Sequence, residues 1–360
     1  MVHDKKDRPG SVAPPRTRPA GRRDATLLRG QPRVHPAERS TMPWGRFLVL
    51  LLLIVALGAV LWRIVFADSA LPMLAQPTAT PVKIAVVASP VPEAPVDARE
   101  HRWLGRPLDR TAVRDFADRT YLFGSSKSNA YRVHHGLDMV NPTGTPVHAA
   151  AAGVVVFAGK DSGIRIGPAT IPNFYGNLVL VKLDRKFHDQ DVYYLNGHFD
   201  SLLVTEGQRV NEGDVIGKIG MTGTADGPHV HFEVRIGGTT YANSYNPALW
   251  LRTLPGTGAL AGLITDASGK PVQGVIVSVF KDITASDVQK YWGETSTYAA
   301  DPLGKLNADP DWGENIAITD LPVGLYEIRV NLGSQTYLRR VTIRDGQTAW
   351  LTVQDGSAPE

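Results

Sequence analysis

The chain has 360 residues, 43% hydrophobic and 20% charged, which are globular proportions and exclude disorder throughout. It has no cysteine, so disulfides, thiolate metal ligands and thiol nucleophiles are excluded. The formal net charge of +3 hides an asymmetry, because residues 1–46 carry +7 and the remainder −4. The globular part therefore has no basic excess with which to bind nucleic acid.

In chain order, the basic, Pro-rich residues 1–46 read as a disordered cytoplasmic tail. The apolar run Phe47–Ala67 is long enough to cross a bilayer as one transmembrane helix, with Trp44 and Trp62 near its two interfaces. A cleaved signal peptide ending at Val65-Phe66-Ala67 is the competing reading, but the leader before the run is much longer than an ordinary one. The Arg-rich tail predicts a cytoplasmic N-terminus and a single-pass cell-membrane protein whose later residues lie outside. Residues 68–98 contain Pro72, Pro77, Pro81, Pro90, Pro92 and Pro95 and predict a semi-rigid linker with a reach of about 90 Å.

Residues 99–253 alternate short β-rich runs with Gly, Asn and Pro turns. Such runs are Gly153–Phe157, Leu178–Lys182, Val192–Leu195, Asp214–Ile216 and His229–Arg235, and they predict a mostly antiparallel β domain. Only Arg110 to Asp118 has helical period. Most of the ten histidines lie here, and they form local patterns. In His134-His135-Gly136-Leu137-Asp138, extended backbone puts His134 and Asp138 on one face. In Gly227-Pro228-His229-Val230-His231 the two imidazoles share a face, and His198 lies between these motifs. Two His and one Asp make a donor set suited to Zn²⁺ with an open position. His3, His35, His101, His148 and His188 read as ordinary surface or core histidines. Neither a G-x-S-x-G elbow nor a phosphate loop is present; Ser125-Ser126 and Gly153–Lys160 each miss the required spacing.

From Tyr121 to Leu251 the sequence resembles the M23 zinc metallopeptidases, the lysostaphin/LytM-type peptidoglycan endopeptidases. The resemblance rests on HHGLDM at 134–139, Gly144–Val147, Ala151–Val154, His198, the glycine series 207, 213, 217 and 220, Met221–Thr224, and GPHVHFEV at 227–234. It implies one Zn²⁺ per chain held by His134, Asp138 and His231, with His198 and His229 as catalytic histidines beside a zinc-activated water. His135 takes the motif's variable position and is expected beside the ligands or in solvent. The glycines read as positive-φ turns between strands. The insert Lys160–Phe174 is either a wall of the substrate groove or a decorated loop.

A Gly-rich joint at Leu254–Gly258 opens a new alternating pattern, and residues 259–355 predict a β-sandwich of about seven strands. Gly262-x-Ile-x-Asp266-x-x-Gly269-x-Pro-Val272-x-Gly274-Val-x-Val277 and Leu321-Pro-x-Gly324-x-Tyr326 are similar to carboxypeptidase-regulatory-like modules, which implies a fold and a possible cell-wall contact or spacing role. Asp301, Asn307, Asp309, Asp311 and Glu314 read as one solvated polar loop. Calcium is conceivable there, although the spacing matches no EF-hand. The fold expected is mainly β: an antiparallel M23 peptidase sheet, then a β-sandwich, preceded by one transmembrane helix. The function expected is a membrane-anchored zinc metalloendopeptidase acting on peptidoglycan stems or cross-bridges. The alternative is a non-catalytic scaffold or activator of other wall hydrolases, which typically lacks site residues that are all present here.

Overall fold

The computed structural model describes residues 99–162, 166–281 and 290–356. The tail, the membrane span and the linker expected at 1–46, 47–67 and 68–98 lie outside the described residues. Among the described residues no helix is long and apolar enough to cross a membrane. The described chain is mainly β, and its helical content is two single 3₁₀ turns, Tyr241–Asn243 and Pro247–Leu249.

The first sheet collects β1 (Leu137–Val140), β2 (Pro146–His148), β3 (Gly153–Lys160), β4 (Asn177–Phe187), β5 (Gln190–Leu202), β6 (Arg209–Val210), β7 (Val215–Ile219), β8 (His229–Ile236) and β9 (Ser244–Tyr245). Its spine runs β9-β8-β5-β4-β3-β6, with β1 on β8, β7 on β5 and β2 on β7. These pairings are antiparallel, as alternating runs joined by short turns require. Strand β8 explains why the site forms where it does. Its even members Val230, Phe232, Val234 and Ile236 enter the core, at about 1.5–3 kcal/mol for each large apolar side chain. Its odd members His229, His231, Glu233 and Arg235 then share the opposite face.

Residues 257–354 contribute β10 (Thr257–Thr265), β11 (Ile276–Lys281), β12 (Lys290–Ser296), β13 (Leu306–Asn307), β14 (Ile316–Pro322), β15 (Gly324–Leu332), β16 (Gln335–Ile343) and β17 (Thr348–Gln354), and all but β13 form two more sheets. One is β14-β10-β17 and the other β12-β11-β15-β16. Strands β10 and β11, adjacent in sequence around the Asp266–Gly269 turn, go to different sheets rather than pairing as a hairpin. Strand β13 joins neither sheet; it pairs in parallel with β9, Leu306 opposite Ser244 and Asn307 opposite Tyr245.

Three expectations need correction. Arg110–Asp118 is not helical. Side chains claim its backbone: Asn141 accepts from Arg114 N–H and donates to the Arg114 carbonyl, and Asp320 accepts from Ala117 N–H. The polar loop is not solvated. Asp309 and Glu314 are about 1% exposed, Asp301 bonds His135, and Asn307 donates to the carbonyls of Ala242 and Ser244. Burial beside Asp309 pushes the Glu314 carboxyl up to about 8.

The glycine series, finally, has two causes rather than one. Gly207 and Gly213 adopt positive φ with open space around them. Gly217 and Gly220 instead allow close approach: a Cβ on Gly220 would lie 2.2 Å from Asp200 N, and one on Gly217 2.7 Å from the Phe199 ring. Gly220→Ala is therefore expected to destabilise by ~3 kcal/mol or more, the upper end of overpacking. Gly213→Ala should lose only ~1–2 kcal/mol of backbone strain. Urea melts of the two variants check the order; equal losses would mean that the contact at Gly220 relaxes freely.

Candidate metal centre and cleft

Pairing of β1 with β8 sets Asp138 directly opposite His231 and Val140 opposite His229. Gly136 makes the crossing possible, since a Cβ there would sit 2.7 Å from the His231 ring. On the other edge of β8, Gly197 faces His231, and His198 follows it in β5. His198 holds a left-handed φ of 65°, an uncommon backbone state for a residue with a side chain.

Three donor atoms converge. His134 Nε2 lies 3.2 Å from Asp138 Oδ1 and 3.2 Å from His231 Nδ1, while His231 Nδ1 lies 2.9 Å from Asp138 Oδ1. A tetrahedral zinc with bonds near 2.0–2.1 Å needs edges of about 3.3 Å, so this triangle fits one face of such a site. The outer nitrogens are fixed in the sense a ligand needs. His134 Nδ1 donates to the Tyr121 carbonyl at 2.7 Å, and His231 Nε2 donates to Glu233 Oε1 at 3.0 Å. Each imidazole therefore keeps its other nitrogen toward the triangle, free to bind a cation once it gives up any proton there. The Tyr121 ring stacks flat on His134 at 4.1 Å.

The charges agree with that arrangement. Burial opposes its ionisation, but His134 and the bonds from both ligand imidazoles hold Asp138 well below the ordinary carboxylate range. Burial likewise opposes charge on His231, yet Asp138 and Glu233 on its two sides raise it to about 9. A proton and a cation compete for the same His231 lone pair, so metal affinity at such a site falls in acid.

His198 and His229 stand over this triangle, their rings 4.7 Å apart. His198 Nδ1 donates to the Thr222 carbonyl at 2.7 Å, and His229 Nδ1 donates to the Gly227 carbonyl at 2.8 Å. Both rings thus present Nε2 as an acceptor. Burial, with His229 and His231 as neighbours, lowers His198 to about 3, which keeps it neutral. The four histidines and the aspartate singled out by sequence meet in one cleft of about 640 Å³. Tyr121, Lys127, Tyr131, Arg132, Phe174 and Thr224–Pro228 also line it. Of the described residues in the Lys160–Phe174 insert, Phe174 reaches the cleft and Ile166 is tied beneath it.

His135, the variable position, is buried away from the triangle. It bonds Ser244 Oγ at 2.6 Å and Asp301 Oδ2 at 2.8 Å and stacks on Tyr241 at 3.8 Å. Burial lowers its pKa despite the Asp301 bond. His148 bonds the Gly213 carbonyl at the surface.

Two supporting residues escaped the sequence reading. Glu233 and Arg235 are both fully buried, bonded to each other at 2.8–2.9 Å. Arg235 also donates to Tyr175 Oη, the Ile166 carbonyl and the Thr239 carbonyl, and Tyr175 Oη donates to Glu233. The line His231–Glu233–Arg235 thus anchors a candidate ligand imidazole to the centre of the fold. Its signal was the continuation of alternate polar positions along β8, past the two histidines.

A β-sheet cleft with two imidazoles, one carboxylate and two further acceptor histidines defines the class of a candidate metal-dependent hydrolase. Residues 132–244 match the family model for peptidase family M23. Among curated relatives, the DD-carboxypeptidase/endopeptidase Mpg of Neisseria meningitidis serogroup B is 38% identical over 110 residues, 31% of this chain and 22% of that protein. The peptidoglycan DD-endopeptidase ShyC of Vibrio cholerae is 35% identical over 107 residues, 30% of this chain and 21% of that protein. The match therefore spans about a fifth of those relatives. The catalytic domain of lysostaphin from Staphylococcus simulans aligns at 24% identity and a TM-score of 0.28, covering 38% of this chain and 89% of that one.

Proposed function

We propose that this protein is a zinc metalloendopeptidase that cleaves peptide bonds in peptidoglycan stems or cross-bridges. The carrying observation is the His134–Asp138–His231 triangle, whose 2.9–3.2 Å edges and outward-tied nitrogens suit a tetrahedral divalent ion. Zinc held there would bring the pKa of a water near 7 and polarise the scissile carbonyl. His198 and His229 supply Nε2 acceptors above the triangle; one takes the water's proton while the other orients it. The backbone carbonyls of Thr222 and Gly227 hold the two rings in the required tautomer. Asp138 Oδ1 lies 3.5 Å from His229 Nε2.

The substrate class is supported by the printed activities of the curated relatives. As parts of the same reading, residues 47–67 anchor the chain in the cell membrane with the cleft outside, and the two sheets of 257–354 form a β-sandwich against the peptidase that can also meet the wall. The test is digestion of purified cross-linked peptidoglycan by the full chain, with fragments separated by mass. Cross-linked dimers should fall to monomers, stop falling after chelation, and resume when Zn²⁺ is returned. Bound zinc with every cross-link intact across several wall types would replace this reading with the non-catalytic one.

A further inference from the structure

On the other side of the first sheet from the cleft's histidines, a second group of donors is drawn from three distant parts of the chain. His101 comes from the first described segment, His188 from the β4–β5 turn, and Asp309 and Asp311 from the loop after β13. The His101, Asp309 and Asp311 side chains are 3%, 1% and 9% exposed. His101 Nε2 donates to Asp309 Oδ2 at 2.8 Å, which leaves Nδ1 as the bare nitrogen. That Nδ1 is buried, has no hydrogen-bond partner, and faces Asp311 Oδ2 at 3.8 Å. The distance is too long for a hydrogen bond. Two bonds of about 2.0–2.1 Å at a tetrahedral angle span about 3.3 Å, so the two groups need to close by only about half an ångström on one ion.

The surroundings hold these groups in place. Asp309 Oδ2 also accepts from Trp250 Nε1 at 3.2 Å, and its Oδ1 accepts from Asp311 N–H at 3.0 Å. The His101 ring is packed between Trp250 at 4.4 Å and Phe187 at 5.0 Å. His188 Nε2 reaches Asp311 Oδ1 at 2.6 Å from the half-exposed rim. One donor atom from each of His101, Asp309 and Asp311 falls within 4.8 Å of the others. Among the described residues no Lys or Arg pairs with either aspartate. Two buried carboxylates beside an imidazole with a bare nitrogen carry negative charge that a divalent ion balances.

We infer that His101, Asp309 and Asp311 form a second divalent-cation site, distinct from the cleft, that fastens the 308–315 loop to the first described segment. A nitrogen donor beside a carboxylate selects a zinc-like ion over calcium. His101 Nδ1 and Asp311 bind directly, Asp309 orients the His101 ring from its far side, and His188 stands by Asp311 at the rim.

The test is metal counting on the full chain, stripped with chelator and re-equilibrated with Zn²⁺ alone. Asp311→Asn keeps the shape of the side chain and a hydrogen bond to His188, and it should lower the zinc count by one per chain. His231→Ala should lower it by a different one, and the double variant should hold none. Failure of the cleft reading alone would leave one zinc that Asp311→Asn removes and His231→Ala does not. An Asp311→Asn protein that folds by circular dichroism and holds as much zinc as its parent overturns the inference, leaving an imidazolium between two carboxylates. Should that variant not fold, zinc added to the His231→Ala protein reads the site untouched. A rise in its melting temperature is expected, and none would overturn the inference.

Discussion

His231→Ala is expected to lose the cleft zinc and to abolish peptidoglycan cleavage, whereas His198→Ala should keep that zinc and still lose about 10²–10⁴-fold in turnover. The split follows from where each nitrogen points. His231 Nδ1 closes the donor triangle at 2.9 and 3.2 Å, so its removal takes one of three ligands. His198 has its Nδ1 spent on the Thr222 carbonyl and its Nε2 over the triangle, so its removal takes a proton acceptor and leaves the ligands. Zinc content by mass spectrometry and muropeptide release, measured on the same preparations, decide the matter. Zinc lost from both variants would make His198 a ligand, and activity kept in His198→Ala would remove it from the chemistry. Because the backbone at 198 is left-handed, glycine is a useful companion substitution that separates loss of the imidazole from strain.

The second large effect is expected at a residue that touches neither metal nor substrate. Arg235→Met should destabilise the fold by about 3–5 kcal/mol, because Glu233 would stay buried with its guanidinium partner gone. For a folded region of this size that is a fall of roughly 6–20 °C in melting temperature. Arg235→Lys should recover little, since one ammonium cannot reach Glu233, Tyr175 and the carbonyls of Ile166 and Thr239 together. The surface pair Arg209–Asp184 is the control, and Arg209→Met should leave the melt nearly unchanged. A loss at Arg235 no greater than at Arg209 would mean that water enters the Glu233 pocket. A weaker hold on zinc is expected along with the lower stability, as Glu233 fixes the His231 tautomer.

The candidate site was legible because its chemistry is local in sequence. An i,i+4 His–Asp pair and an i,i+2 His pair declare shared faces wherever the backbone is extended, and β1 and β8 only had to pair for the faces to meet. The β runs were legible for the same reason: period-two alternation survives whatever the strand pairs with. What stayed hidden depends on partners far along the chain. Glu233 and Arg235 look like the polar face of an edge strand until Tyr175 and Ile166 close over them. Gly220 looks like a turn glycine until Asp200 comes within 2.2 Å of its missing Cβ. Arg110–Asp118 has the spacing of a helix but loses its backbone groups to Asn141 and Asp320. Asp309 and Glu314 carry every mark of a solvated loop, and only Trp250, His101 and Tyr298, from distant segments, give them reason to be inside.

Strand β13 is only two residues long, yet it lies along the outer side of β9, where the first sheet would otherwise end in open peptide groups. An uncovered edge of that kind is a template for pairing with another chain. Beside it, the loop that follows β13 roofs Trp250, which is fully buried. A protease nick between Asn246 and Leu306 that released the later residues would thus bare both a sticky sheet margin and an indole. The last hundred residues thereby cover a sheet margin and an indole that would otherwise invite self-association.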